Sequence, residues 1–180
     1  MRRILVLLLL LLLASASSAL AADVALTSVG QSPDAVMVKV VMKKIKVEPE
    51  YDALMKPAAL GSQKVLVAVV GGSSKGLGAA GVNADQEKAR AVSLIEGAKR
   101  KGMKILVMHV GGEGRRGTLT DLFVNAAVPF ADQVILVKGG NNDGLFTKLA
   151  KKGVAITEVP TVSGVQGPLE QAMKDWKVLP

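Results

Sequence analysis

The chain has 180 residues, of which 49% are hydrophobic and 3% aromatic, with one histidine and no cysteine. Disulfide scaffolds, zinc ribbons, iron–sulfur centres, thiol nucleophiles and multi-histidine metal sites are therefore excluded, and neither a metal nor an organic cofactor is expected. A formal net charge of +8 with 21% charged residues describes a basic chain that has enough apolar material to build a core.

Met1-Arg2-Arg3, the unbroken apolar run Ile4 to Leu13 and the small-residue stretch Ala14 to Ala21 follow the order of a secretory signal peptide. Ala19-Leu20-Ala21 supplies the small residues of a signal-peptidase site, so residues 1–21 are expected to be removed and 22–180 to form one domain. The apolar run is well short of the ~20 residues that span a bilayer, and no later stretch is long and apolar enough to do so. A retained membrane anchor is the alternative. Export places the domain in the periplasm or outside the cell. Loss of Arg2 and Arg3, two positive charges, lowers the formal charge from +8 to +6. Outside the cytoplasm nucleic acid is not the expected partner for that basicity. Anionic small molecules, cell-wall polymers or lipid headgroups are.

Along the mature chain Asp23 to Val29 reads as a strand. Ser32-Pro33-Asp34 then starts a helix, with serine as cap, proline at the first helical position and an acid facing the positive end of the helix dipole. Val36, Met37, Val40, Val41 and Ile45 recur at helical spacing and are expected to form its packing face. Val47 to Tyr51, carrying Glu48, Pro49 and Glu50, suits a sheet edge. Lys64 to Val70 has no alternation and suits a central parallel strand covered on both faces. A helix from Asn83 or Ala84 to about Lys101, with Ala89, Val92, Leu94, Ile95 and Ala98 as its apolar side, ends at Gly102. Lys104 to Val110 is another buried strand. Thr118 with Asp121 resembles a capping box opening a helix towards Phe130. Val134 to Lys138, a helix near Leu145 to Lys152, the strand Val154 to Val159 and a helix from about Pro168 to Lys177 complete the series.

Strand and helix alternate six times, which defines a three-layer α/β domain with a doubly wound parallel sheet. The charged strand at an edge and the apolar Lys64 to Val70 strand in the middle give the flavodoxin-like order 2-1-3-4-5 with a sixth strand added. The Rossmann-like order 3-2-1-4-5-6 is the alternative.

Ligands of such sheets bind beyond the carboxyl ends of the strands, where the strand order reverses. Three loops rich in glycine, hydroxyl and charge meet there: Thr27 to Asp34, Gly71 to Gly81, and His109 to Thr118. Candidate ligand-binding residues are Ser28, Gly30, Gln31 and Ser32 in the first; Gly72, Ser73, Ser74, Lys75 and Gly76 in the second; and His109, Gly112, Glu113, Arg115 and Arg116 in the third. Glycines allow backbone amides to approach an anion, and arginine grips a carboxylate or phosphate with two parallel hydrogen bonds. His109, at a strand end, is the candidate general base. Ser73 or Ser74 with His109 and Asp34 would compose a hydrolytic triad on paper, although serines in glycine loops serve mostly as turn formers and backbone donors.

Gly72-x-x-x-Gly76-x-Gly78 matches the phosphate loop of short-chain dehydrogenases, and Gly76-x-Gly78-x-x-Gly81 the dinucleotide fingerprint. Their position after the third strand, the residues separating them from the helix, and the placement of Tyr51 argue against both. No Walker motif is present, and no loop aromatic is available to stack on a flavin.

The motifs Thr27-Ser28-x-Gly30-Gln31-Ser32-Pro33-Asp34, Gly71 to Gly81 and His109-x-Gly111-Gly112-Glu113-x-Arg115-Arg116-Gly117 together resemble an exported bacterial family catalogued as a domain of unknown function. The resemblance covers nearly the whole mature chain. It implies export and no particular chemistry. The expectation from the residues is an extracytoplasmic protein that binds a small phosphate- or carboxylate-bearing ligand at the sheet rim. The alternatives are an envelope hydrolase or transferase using His109 as base, and an envelope interaction module with an anionic partner surface.

Overall fold

The computed structural model describes residues 22–180, so the expected signal segment, residues 1–21, lies outside the described residues. Strands β1 (Val24–Val29), β2 (Glu50–Tyr51), β3 (Val65–Val70), β4 (Lys104–His109), β5 (Gln133–Val137) and β6 (Ala155–Val159) form one all-parallel sheet in the order 2-1-3-4-5-6. This is the flavodoxin-like order with a sixth strand, and the Rossmann-like alternative is not adopted. Every residue of β1 and β3 is buried, and the two pair in step from Val24 with Val65 to Val29 with Val70. Continuous apolar runs are what a strand covered on both faces requires.

Among the described residues six helices cover the faces: α1 (Asp34–Lys44), α2 (Ser74–Ala79), α3 (Ala84–Arg100), α4 (Thr118–Ala127), α5 (Leu145–Leu149) and α6 (Gln166–Asp175). On one face Leu66, Ala68 and Val70 pack with Leu94 and Ile95 of α3, Phe123 of α4 and Phe146 of α5. On the other, Val65, Val67 and Val69 pack with Val38 and Met42 of α1 and Leu169 and Met173 of α6. The period of two along β3 thus separates the two cores. Each fully buried large apolar side chain contributes roughly 1.5–3 kcal/mol.

Four local expectations are corrected. The packing face of α1 is Ala35, Val38, Val41, Met42 and Ile45, whereas Val36, Met37 and Val40 are 48%, 42% and 51% exposed. Valine and methionine occur all around this helix, so spacing alone did not single out a face. The glycine-rich stretch after β3 contains a helix, α2, because the Ser73 hydroxyl caps it by accepting from Gly76 N at 3.0 Å. Thr118 and Asp121 form no capping box at the start of α4, since the Asp121 carboxylate is taken by Arg116 at 2.9 Å. The edge strand is two residues long, shorter than Val47 to Tyr51. The α3 start matches its sequence signal, with a reciprocal Asn83–Gln86 capping box.

Candidate functional site

The strand order reverses between β1 and β3, and the loops that follow them interlock. Gln31 bridges to Gly72, Ser32 N donates to Gly71 O at 3.2 Å, and Ser73 N donates to Gly30 O at 2.9 Å. The approach is so close that a Cβ at Gly76 would collide with the Gln31 carbonyl oxygen. Gln31 has a positive φ of 60°, a conformation that disfavours any residue but glycine. Its amide Nε2 holds it there by donating to Ala53 O at 2.8 Å and to Glu87 Oε1 at 3.0 Å.

Beneath this rim lies a buried network that the sequence reading missed. Glu87, on the first turn of α3, is fully buried. Its Oε1 accepts from Gly30 N at 2.9 Å, from Gln31 Nε2 and from Arg90 Nη2 at 2.7 Å, and its Oε2 accepts from Arg90 Nε at 2.7 Å. Arg90 also donates to Ser28 O at 2.6 Å and Met55 O at 2.8 Å. A paired charge with both oxygens hydrogen-bonded is the form in which a buried carboxylate is tolerable. The signal was present in the sequence, because Glu87 falls on the same helical stripe as the buried Ala91, Leu94 and Ala98.

Above the network is an open cleft of about 690 Å³, lined by Gln31 and Ser32 from the β1 loop, Tyr51 to Leu54 from the β2 loop, Ser73, Lys75 and Gly76 from α2, and Arg115. Burial, reinforced by the Asp52 charge, raises the Tyr51 phenol above its ordinary range, so Tyr51 lines the cleft as an uncharged residue. Lys75 has no ion pair among the described residues. Arg115 Nε stands 3.9 Å from Asp34 Oδ1, too far for a hydrogen bond. Asp34 is 1% exposed and its Oδ2 has no hydrogen-bond partner. Room for this carboxylate depends on Gly71, where a Cβ would lie 2.6 Å from Ser32 Oγ and 3.1 Å from Asp34 Oδ2.

The expected site residues therefore divide. Gln31, Ser32, Ser73, Lys75, Gly76 and Arg115 meet at the cleft. Ser28 and Gly30 lie below it as scaffold, the first donating its hydroxyl to Ser32 O at 3.2 Å and the second bonded to Glu87. Gly72 donates its amide to Thr120 Oγ1 at 3.0 Å, and Thr120 in turn donates to Arg115 O at 2.7 Å, which ties the second loop to the third. Ser74 turns to a separate groove beside Thr118 and Leu122, because α2 points successive side chains in different directions. Glu113 is exposed on the 3-10 turn Glu113–Arg115, against Gly139 of the β5 loop.

Two expectations about the third loop are corrected by this geometry. His109 is fully buried, with Nδ1 2.9 Å from Val70 O and Nε2 3.0 Å from Gly112 O, and its ring packs 5.8 Å from that of Phe146. Both nitrogens face backbone carbonyls and neither faces the cleft, so His109 joins the third and fourth strand ends and is not placed to act as a base. Arg116 does not share the cleft with Arg115. Its guanidinium donates to Asp121 at 2.9 Å, to Asp143 at 2.8 Å and to Gly140 O, and lies over the Phe146 ring at 5.6 Å. The hydrogen bond to Asp143 is the main reason its affinity for the proton rises further, and Arg116 in turn holds the Asp143 carboxyl below the usual carboxylate range. Consecutive residues on a tight turn point apart, which spacing in the sequence did not resolve.

Fold and rim together define a doubly wound α/β domain with a polar cleft at its topological switch point. The chain belongs to the family described as Domain of unknown function (DUF6305), which matches residues 21–173. No curated protein and no solved structure matches the chain.

Proposed function

We propose that this protein binds a small phosphate- or carboxylate-bearing ligand in the cleft over β1 and β3, and that residues 1–21 direct it out of the cytoplasm to do so. One observation carries the reading. Two exposed cations from different loops, Lys75 and Arg115, line the same cleft at the switch point, and neither is engaged in a hydrogen-bonded ion pair. Ser32, Ser73 and Gln31 add short polar side chains on a rim held rigid from below, and preorganisation of this kind favours affinity. A volume of about 690 Å³ suits a small molecule. Binding is favoured over turnover because the cleft lacks the histidine that an acid–base mechanism was expected to use.

Thermal-shift measurements with inorganic phosphate, succinate and a nucleoside monophosphate test this reading. At least one should raise the melting temperature in a saturable way. Lys75→Ala and Arg115→Ala should each weaken that ligand about tenfold or more, since a charge-assisted hydrogen bond is worth about 1.5–3 kcal/mol. A saturable shift that survives both substitutions would place the ligand elsewhere and overturn the cleft.

A further inference from the structure

The protein's excess of positive charge is not concentrated at the cleft. At the carboxyl rim the arginines have acidic neighbours: Glu87 beside Arg90, Asp34 near Arg115, Asp121 and Asp143 on Arg116. The opposite rim, built from the amino ends of the strands and the last turns of the helices, carries Lys46, Lys64, Lys101, Lys104 and Lys177, with the acids Asp23, Glu48 and Asp175 beside them. Lys64 pairs with Asp23 at 3.1 Å, and the other four have no ion pair among the described residues.

These lysines form one surface. Lys104 N donates to Lys64 O at 2.9 Å, Lys64 N to Asp23 O at 2.8 Å, and Lys64 Nζ to Lys177 O at 2.9 Å. Lys64, Lys101, Lys104 and Lys177 surround an open hollow of about 420 Å³ whose wall includes the half-buried Trp176. Lysines at helix carboxyl ends complement the helix dipole, a description that fits Lys99, Arg100 and the cap Lys101 of α3, and Lys46 and Lys177 just beyond the caps of α1 and α6. Lys99 and Arg100 also have acidic partners, Asp132 and Glu96. Lys104 begins a strand and Lys64 directly precedes one, where no helix dipole calls for them.

We propose that this basic rim docks on an anionic phospholipid surface, an inference independent of what the cleft binds. Charge is the first argument, because each lysine held near an anionic leaflet strengthens partitioning about fivefold. The second is the half-buried Trp176 in the wall of the hollow, since an indole that is partly packed on the core and partly exposed is the amphipathic kind of group that settles at a headgroup boundary. The third is where the remaining chain joins. Before its expected removal the segment 1–21, with the apolar run Ile4 to Leu13, leads through Ala22 into Asp23, which is part of this rim, so the precursor meets the membrane from this side. Docking here leaves the cleft at the far end of the strands, facing away from the membrane.

The test is co-sedimentation of the full chain with vesicles of phosphatidylglycerol mixed into phosphatidylcholine, and with vesicles of phosphatidylcholine alone. The difference between the two isolates charge from any contribution of the apolar run. Binding should favour the anionic vesicles and fall as salt is raised. Lys101→Gln combined with Lys104→Gln should reduce binding to anionic vesicles about 25-fold. Lys88→Gln combined with Lys138→Gln, which removes the same charge elsewhere, should change it less than about twofold. Equal binding to both vesicle types, equal losses in the two double variants, or retention of a soluble polyanion such as heparin without any preference for anionic vesicles would each overturn the proposal.

Discussion

Two carboxylates are buried behind the same rim, and they are treated in opposite ways. Glu87, under the β1 loop, is met by Gly30, Gln31 and Arg90 with no lone pair left idle on Oε1. Asp34, the first residue of the next helix, keeps one oxygen without a partner and the other 3.9 Å from an arginine. Burying a carboxylate is costly, and only the first arrangement offsets that cost with hydrogen bonds. The contrast separates scaffold from site. Glu87, fully engaged, holds the rim in shape, and Asp34, with unused capacity, lies behind Arg115, which lines the cleft.

The largest expected effect comes from breaking the satisfied side. Glu87→Gln would leave the Arg90 guanidinium buried without its counter-charge and weaken the hold on Gly30 N and on the strained Gln31. Loss of one partner from a buried ion pair costs about 3–5 kcal/mol. Urea unfolding of the variant should show a midpoint lowered accordingly with little change in slope. A loss below about 1 kcal/mol would mean that the network is dispensable and that the rim is held by packing alone. If the rim is shaped from below as argued, ligand affinity at Lys75 and Arg115 should fall as well, although Glu87 lies outside the cleft lining.

How far this contrast could be read from the sequence depends on whether a residue's role is set by the strand order or by its tertiary neighbours. The sheet order was legible because the apolar run of β3 and the Glu48-Pro49-Glu50 edge leave few other arrangements. The gathering of the β1 and β3 loops followed from that order, and Gln31, Ser32, Ser73, Lys75, Gly76 and Arg115 do meet. The directions of neighbouring side chains were not legible. Arg115 and Arg116 diverge because Arg116 finds Asp121 on the first turn of α4 and Asp143 on the loop after β5, the second contact being set by the tertiary position of that loop. The ring of His109 was taken up by carbonyls of Val70 and Gly112, which no spacing rule reveals. Glu87 left a trace in its place on the stripe of Ala91, Leu94 and Ala98, but a lone acid on an apolar stripe announces a buried partner only once that partner is known.

A smaller effect tests the periphery of the satisfied side. Asp143 is held below the ordinary carboxylate range chiefly by its hydrogen bond from Arg116, then by that from Leu145 N. A carboxyl depressed in the folded state contributes stability that is present above the unfolded value of about 3.9 and is lost as pH falls through the folded value. Asp143 is exposed, so solvent screening limits the contribution to at most about 1 kcal/mol. The urea midpoints of wild type and Asp143→Asn should therefore differ modestly near neutrality and converge at acid pH. Curves that stay parallel into acid would show that the pair contributes nothing measurable.

The smallest effect should carry the opposite sign, and it bears on the unsatisfied side. Asp34→Asn keeps the size of the side chain while removing a negative charge that lies against Arg115 and has little compensation. Two terms oppose each other. Loss of the acid from the first turn of α1 forfeits the helix-dipole interaction, about 0.3–1 kcal/mol. Relief of an incompletely paired buried charge returns a comparable or larger amount. Stability should thus stay within about 1 kcal/mol of wild type, with any change a gain. The sharper readout is affinity. If the cleft holds an anion, a negative charge beneath Arg115 weakens it, so Asp34→Asn should tighten phosphate or carboxylate binding about two- to fivefold, the scale of a partly screened charge pair. If Asp34 instead receives a hydrogen bond from the ligand itself, the same substitution should weaken binding while Arg115→Ala matters little. Titration calorimetry on the two variants with one ligand separates these outcomes, because they change affinity in opposite directions.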